Sequence, residues 1–367
     1  MARKLISGLG NIIIALIIVA CGGDGGNGAV SYNGKLNGNY VIHQIGENAT
    51  GIYTTRVNVL SNGNGTGTFT IVEHSQKAPE PAAPFSYTVA ANRTFSANNG
   101  IGTDYGILSA DGSLFIMVDA EITGDPEDTD GEIIASIGLS TDCTTAPTLS
   151  GDYQLGQIMV DLAGVPAPIT YTTLVDIAFG TPNIFTIVEH SDPTSIGATG
   201  EFTYLVNSDC TFEIDNGGPE LLYGVAAADG SMFAIVDANP ADTEIKLTVG
   251  IQKSTVTQDN SLLSGNYWMG QFSEDNSTGV PINYTAQVDV NSLGDGSGSA
   301  TINSHSLGAT GVLPITYSIA ADGTFSETDP DNADSGIVNS SGDFFLLVDT
   351  DHIDEDDEIV LGFGIRK

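Results

Sequence analysis

The chain repeats itself three times, and that repetition constrains its fold more than any other feature. Leu36-Asn-Gly-Asn-Tyr40 returns as Leu149-Ser-Gly-Asp-Tyr153 and as Leu263-Ser-Gly-Asn-Tyr267, each followed four residues on by Gln44, Gln157 or Gln271. Tyr53-Thr-Thr-Arg-Val57 is matched by Tyr171-Thr-Thr-Leu-Val175 and Tyr284-Thr-Ala-Gln-Val288. A third landmark, Phe69-Thr-Ile-Val-Glu-His74, returns as Phe185-Thr-Ile-Val-Glu-His190 and, more loosely, as Ala300-Thr-Ile-Asn-Ser-His305. Landmarks kept in one order three times make this a tandem triplication. The units span 35–141, 148–254 and 262–367, joined by short polar linkers. Each has the size of a domain rather than of a solenoid repeat.

Within a unit, Tyr, Val, Ile, Thr and Phe alternate with polar residues over six or seven positions between Gly, Asn and Asp clusters. A period of two, with no helical periodicity anywhere, predicts an all-β fold. Asp111-Gly112, Asp229-Gly230 and Ser341-Gly342 occupy one place in the three units and read as two-residue hairpin turns. About eight strands per unit follow, in the third copy near 267–272, 285–291, 298–303, 316–320, 324–327, 336–339, 344–349 and 359–365. Eight antiparallel strands can remove their edges by closing into an up-and-down barrel, so three barrels or sandwiches in a row are expected. The alternative is a β-propeller. It is suggested by Leu114–Val118, Met232–Val236 and Phe344–Val348, which are apolar on both faces as strands sandwiched between layers are. The barrel shape resembles that of lipocalin-like proteins, although their Gly-x-Trp signature is not met, Trp268 falling one position late.

The first residues read differently. Arg3-Lys4, an apolar stretch from Ile12 to Ala20, and then Cys21-Gly22-Gly23 form a basic start, a core too short to span a bilayer, and a small residue before a cysteine. This ending resembles the lipobox of bacterial lipoproteins, in which the cysteine is acylated and becomes the first residue of the mature chain. The resemblance implies a signal peptide over 1–20, lipid attachment at Cys21, a Gly-rich tether over 21–34, and a membrane held through the N-terminal lipid. No Asp follows the cysteine, which favours the outer membrane, on its periplasmic or cell-surface face.

Asp and Glu number 46 against 10 Lys and Arg, a net charge of −36 with no basic cluster, and this excludes nucleic acid as a partner. Part of the acidity gathers in one connection per unit. Asp119, Asp125, Asp128, Asp130 and Glu132 mark the first, Asp237, Asp242 and Glu244 the second, and Asp349, Asp351 and Asp354 the third. Clustered carboxylate oxygens are what calcium requires, so these are candidate metal ligands, against the plain alternative of solvated acidic loops. His74, His190 and His305 are single in their units and read as partly exposed histidines at strand ends, as do His43 and His352. Cys143 and Cys210 form an isolated pair in an exported chain, which predicts a disulfide.

Nucleophile elbows, Walker loops, His-Glu-x-x-His and Cys-x-x-Cys are absent, and Gly63-Asn-Gly65-Thr-Gly67 opens no helix that would make it a phosphate loop. The chain is therefore expected not to be an enzyme. Two functions fit: a ligand-binding module for a small molecule, glycan or calcium, or a structural or adhesive envelope protein. The first demands a recurring concave pocket, the second filled interiors.

Overall fold

The computed structural model describes residues 31–367 except 101, 120–131, 165–167, 216–221, 277–280, 328–333 and 351–357. It is all-β, three closed eight-stranded antiparallel barrels built from strands that follow one another in sequence. Barrel 1 runs from β1 (Asn37–Asn48) through β2 (Gly51–Asn62), β3 (Thr66–His74), β4 (Ala83–Val89), β5 (Thr94–Asn98), β6 (Thr103–Leu108) and β7 (Leu114–Asp119) to β8 (Ile133–Ser140). It closes where β8 pairs with β1, Tyr40 facing Ser140 and Glu47 facing Ile133. Barrel 2 comprises β9 (Gly151–Asp161), β10 (Ile169–Phe179), β11 (Asn183–His190), β12 (Thr199–Val206), β13 (Thr211–Asp215), β14 (Leu222–Ala226), β15 (Met232–Asp237) and β16 (Glu244–Gln252). Barrel 3 comprises β17 (Ser264–Asp275), β18 (Ile282–Leu293), β19 (Ser297–His305), β20 (Gly311–Ile319), β21 (Thr324–Glu327), β22 (Ser335–Val338), β23 (Phe344–Asp349) and β24 (Glu358–Arg366). Closure leaves no edge for another chain to extend. Even the irregularity repeats: a β-bulge falls at Arg56/Val57, Leu174/Val175 and Gln287/Val288.

One end of each barrel is sealed by the repeated Tyr and Leu landmarks. The Tyr40 hydroxyl donates to the Gly112 carbonyl at 2.8 Å, and Tyr267 to that of Gly342 at 2.7 Å, with Tyr153 and Gly230 paired likewise. Tyr87, Tyr204 and Tyr317 donate to the carbonyls of Leu36, Leu149 and Leu263 at 2.7, 3.1 and 3.0 Å. The hairpin glycines lie under the entering chain, where a Cβ on Gly112 would meet the Lys35 oxygen at 2.2 Å. Their turns differ from the expected two-residue form. Ser109 and Leu114 close a four-residue loop in which Gly112 alone has positive φ, because the loop must also pass beneath the incoming strand.

The strands apolar on both faces find their explanation in how the barrels meet, and no propeller is needed. Phe115, Phe233 and Phe345 point into their own barrels. Their neighbours Leu114, Ile116, Met232, Ala234, Phe344 and Leu346 point outward into one core shared by all three barrels. β7 and β8 lie on β17 and β18, β15 and β16 on β1 and β2, and β23 and β24 on β9 and β10. The barrels follow in a row along the sequence, but in space they close a head-to-tail ring with pseudo-threefold symmetry. A hydrogen bond repeats at each joint: the hydroxyls of Thr54, Thr172 and Thr285 donate to the carbonyls of Asp237, Asp349 and Asp119, each at 2.5 Å.

A second contact repeats in three chemistries. Arg93, Cys210 and Gly323 hold one turn position, with φ of 70°, 67° and 89°. Each turn meets the chain leaving the preceding barrel. Arg93 donates to the Arg366 carbonyl at 2.5 Å, Cys210 is disulfide-bonded to Cys143, and the Asp322 carbonyl accepts from the Ser254 amide at 2.8 Å. The expected disulfide is thus one of three equivalent clasps. It closes 67 residues, which the chain-entropy model values at about 4 kcal/mol. Reduction is expected to lower the melting temperature by about 5 °C, read from thermal melts with and without reductant.

Candidate functional site

The ends opposite the Tyr and Leu seals hold the candidate sites, and the three interiors differ in how they are filled. Barrel 2 is packed with aromatic rings. Phe179 lies 5.0 Å from Tyr153, 5.0 Å from Tyr204, 5.6 Å from Phe202 and 6.0 Å from Phe233. At the position of Phe179, barrels 1 and 3 carry the small Ser61 and Ser292, whose hydroxyls join the seal by donating to the Leu36 and Leu263 carbonyls. Phe69 and Phe185 project inward from β3 and β11, but β19 has Ala300 there. Barrel 1 accordingly encloses a cavity of about 160 Å³, and barrel 3 one of about 270 Å³.

Both cavities are apolar below and polar at the mouth. Val57, Phe69, Phe95 and Phe115 line the first, whose mouth carries Gln44, His74, Lys77, Asp104 and Glu132. Val288, Ile302, Phe325 and Leu347 line the second, whose mouth carries His305, Glu327, Asp334, Asp349 and Glu358. The inward residues of β3, β11 and β19 are only half-buried, so the wall away from the shared core is the thinnest part of each barrel.

A Tyr–His pair recurs at these mouths. Tyr53 stacks on His74 with centroids 4.7 Å apart, Tyr284 on His305 at 4.3 Å, and Tyr171 tilts over His190 at 5.4 Å. In each, the imidazole Nδ1 accepts the amide of the residue two further on, at 3.1, 3.1 and 2.7 Å respectively. The bulge ahead of the histidine aims it inward. His74 and His305 are buried, correcting the expectation of partly exposed strand ends. Burial holds His305 below the usual imidazole range, and burial with the Lys77 charge brings His74 to about 4. Neutral rings are what an apolar cavity tolerates. His43 is no strand-end residue either: it lies wholly buried mid-strand on the outer face of β1, against the joint with barrel 2.

The candidate metal ligands are partly placed. Asp125, Asp128, Asp130, Asp351 and Asp354 lie outside the described residues, as do His352 and the lipid-attachment candidate Cys21. Asp119 and Asp349 are buried at the ends of β7 and β23, and Glu132 borders the barrel 1 cavity. In barrel 2, Asp237 lies 3.8 Å from the Lys246 ammonium, and Glu244 lies 3.1 Å from it. Burial outweighs that ammonium and, with Asp242 adding to it, pushes the Asp237 carboxyl up to about 6. A built-in ammonium among these acids leaves them poorly suited to calcium. Among the described residues, no group of three or more His, Cys, Asp or Glu could hold a metal ion. Glu358 at the barrel 3 mouth accepts the Tyr284 hydroxyl, and burial, with Asp275 adding to it, raises its carboxyl to about 7.

No family model matches the chain, and none of the curated proteins does. Among solved structures, a double mutant of transferrin binding protein B from Haemophilus parasuis covers 90% of this chain with 77% of its own, at 10% identity and a TM-score of 0.28. Transferrin binding protein B from serogroup B Neisseria meningitidis covers 90% with 76% of its own, at 11% identity and a TM-score of 0.29. A protein of unknown function from the DUF3598 family of Nostoc punctiforme covers 92% with 100% of its own, at 11% identity and a TM-score of 0.21. Overlaps this loose pass neither a ligand nor a family to this chain.

Proposed function

We propose that this chain is an exported, lipid-anchored outer-membrane protein that acts by binding small apolar molecules inside barrels 1 and 3. The observation that carries the reading is the pair of apolar cavities with polar mouths, set beside a third copy whose described residues fill the interior with aromatic rings. Both cavities lie below the range of drug-sized sites, and that of barrel 1 is close in size to an engineered apolar cavity of about 150 Å³ that binds benzene or xenon, that of barrel 3 being larger. Such interiors suit a small ring or short hydrocarbon chain better than a glycan, whose hydroxyls would lose their hydration against the apolar walls below the mouth. The lipobox-like sequence around Cys21 supports the anchored, exported part of the reading. Barrel 2, filled and pinned by the disulfide, supports a structural role for that unit within the same protein.

Titration of the full chain with benzene, followed by calorimetry, tests the reading. Two equivalents are expected. The double substitution Ser292→Phe and Ala300→Phe, which gives barrel 3 both of the rings that fill barrel 2, is expected to remove one of them. Uptake of benzene that is indifferent to these substitutions, or no uptake at all, contradicts the reading for barrel 3.

A further inference from the structure

The joint between barrels 2 and 3 is built from smaller and more polar residues than the other two. Directly after the sealing Tyr, the first strand of each barrel turns Val41, Gln154 or Trp268 outward, held in register opposite Leu139, Ile251 and Ile365. Val41 and Trp268 belong to the apolar core shared by the barrels. At the bulge of the second strand the three barrels carry Arg56, Leu174 and Gln287. On the other side of a joint, in register with Val118, Val236 and Val348, they carry Tyr105, Tyr223 and Ser335. Between barrels 1 and 2 the Arg56 guanidinium therefore lies 4.8 Å from the centre of the Tyr223 ring, and Glu73 pairs with it at 2.8 Å. Between barrels 2 and 3 the carboxylate is kept as Glu189, but a leucine and a serine stand in place of the guanidinium and the ring.

These exchanges leave a crevice of about 280 Å³ between the two barrels. Gln154, Leu174 and Glu189 line it from barrel 2, and Ser326, Ser335 and Gly336 from barrel 3. Glu189 accepts the Ser335 hydroxyl at 3.0 Å and the Thr350 hydroxyl at 3.4 Å, so it is already engaged within the joint. Gln154 is not. It is more than nine-tenths buried, and among the described residues its Oε1 has no hydrogen-bond partner. A buried acceptor left without a donor is costly, and a ligand that brings a donor into the crevice recovers that cost. The volume exceeds the roughly 150 Å³ that accommodates benzene, and the corresponding positions of the other joints hold the rings of Trp268, Tyr105 and Tyr223. We propose that the crevice between barrels 2 and 3 is a binding site for a small neutral aromatic compound with one N–H or O–H donor, of the indole or phenol class, its donor on Gln154 Oε1 and its ring against Leu174. The site is separate from the interiors of barrels 1 and 3 and does not depend on what they hold.

The test is calorimetry of the full chain at neutral pH with indole, 1-methylindole and D-glucose, in the wild type, in Gln154→Trp with Ser335→Tyr, and in Gln154→Val. The double variant gives this joint both rings of the joint between barrels 3 and 1, and it is expected to lose one equivalent of indole while its uptake of benzene is unchanged. On that equivalent, indole should bind the wild type about ten-fold more tightly than 1-methylindole, which has the ring without the donor. Gln154→Val, which carries the residue of barrel 1 and leaves the room open, should bring the two ligands to about equal affinity. Indole uptake that is the same in the wild type and the double variant confines indole to the barrel interiors and overturns the proposal, leaving the reading of barrels 1 and 3 standing. Equal affinity of indole and 1-methylindole for the wild type overturns the role of Gln154. Glucose taking the equivalent that the double variant loses, with no indole there, overturns the aromatic class. Loss of benzene uptake in the double variant would mean that the joint has been disrupted, and the ratio of the two indoles in Gln154→Val then decides.

Discussion

Phe179→Ser is expected to lower the unfolding free energy by about 3 kcal/mol and to give the full chain a third site for benzene. Phe179 is buried, and its ring meets four others inside barrel 2. Removing a buried phenyl group costs about 3 to 5 kcal/mol, the transfer free energy plus the cavity left behind. Serine is chosen because it is the residue of the other two barrels. There the Ser61 hydroxyl lies 2.6 Å from the Leu36 carbonyl and 2.8 Å from the Tyr87 hydroxyl. The Leu149 carbonyl and the Tyr204 hydroxyl offer equivalent partners in barrel 2, which offsets about 1 kcal/mol of the loss. Because the three barrels share one core, the loss should appear as a lower midpoint of the main unfolding transition in denaturant, together with a rise from two to three benzene equivalents. An unchanged midpoint, or a lower one with no third equivalent, would show that barrel 2 collapses around the gap and that Phe179 is not what distinguishes it from its neighbours.

The repeats made the barrel legible in the sequence, and comparing the repeats position by position also carried the cavities, had volume rather than pattern been compared. Ser61, Phe179 and Ser292 stand in register, as do Phe69, Phe185 and Ala300, and those two rows order the interiors from filled to most open. A period of two shows which residues face inward, but not how much room they leave. The shared core was harder to see. Residues such as Ile116 and Leu346 look like the second face of a sandwiched strand, and nothing local says that the second layer is another copy of the same barrel. Gly156 and Gly270 held the clue. A Cβ on Gly156 would meet Val348 at 2.4 Å, and one on Gly270 would meet Val118 at 2.5 Å, so each marks where the next barrel presses closest. Glycine is usually read as a turn or a bulge, and in these central strands it is neither. The acidic connections were conspicuous in sequence because charge is conspicuous. The mouth acids Glu327 and Asp334 were not, since each is unremarkable until β21 and β22 bring it to the same cavity as Asp349.

The third residue in the row of Gly156 and Gly270 is His43, and it makes the joint between barrels 1 and 2 sensitive to acid. β1 packs on β15, which carries Ala234 where β7 and β23 have Ile116 and Leu346, so the strand facing His43 has the smallest residue of the three at this position. His43 is wholly buried, and among the described residues neither ring nitrogen has a hydrogen-bond partner. Arg56 adds its charge nearby, paired with Glu73 at 2.8 Å and lying 4.8 Å from the Tyr223 ring of barrel 2. Burial first, and Arg56 second, bring the His43 pKa down to about 3, against the ordinary 6.5. A group whose folded pKa is depressed binds its proton more tightly in the unfolded chain. Its contribution is therefore intact above pH 6.5 and is lost progressively as pH falls toward 3. Between pH 7 and pH 4 the loss amounts to about 3 kcal/mol. Raised carboxyls such as Glu358 and Asp237 act in the opposite direction, because their folded forms take up protons first. The wild-type profile alone would mix the two effects, and a variant separates them. His43→Leu fills nearly the same volume without buried unpaired nitrogens, so it is expected to be more stable than the wild type by about 1 kcal/mol at pH 7. That advantage should widen to about 4 kcal/mol at pH 4, measured by denaturant melts across the range. A constant gap between the two proteins from pH 7 to pH 4 would mean that His43 takes up its proton as readily folded as unfolded, and that the joint between barrels 1 and 2 admits water.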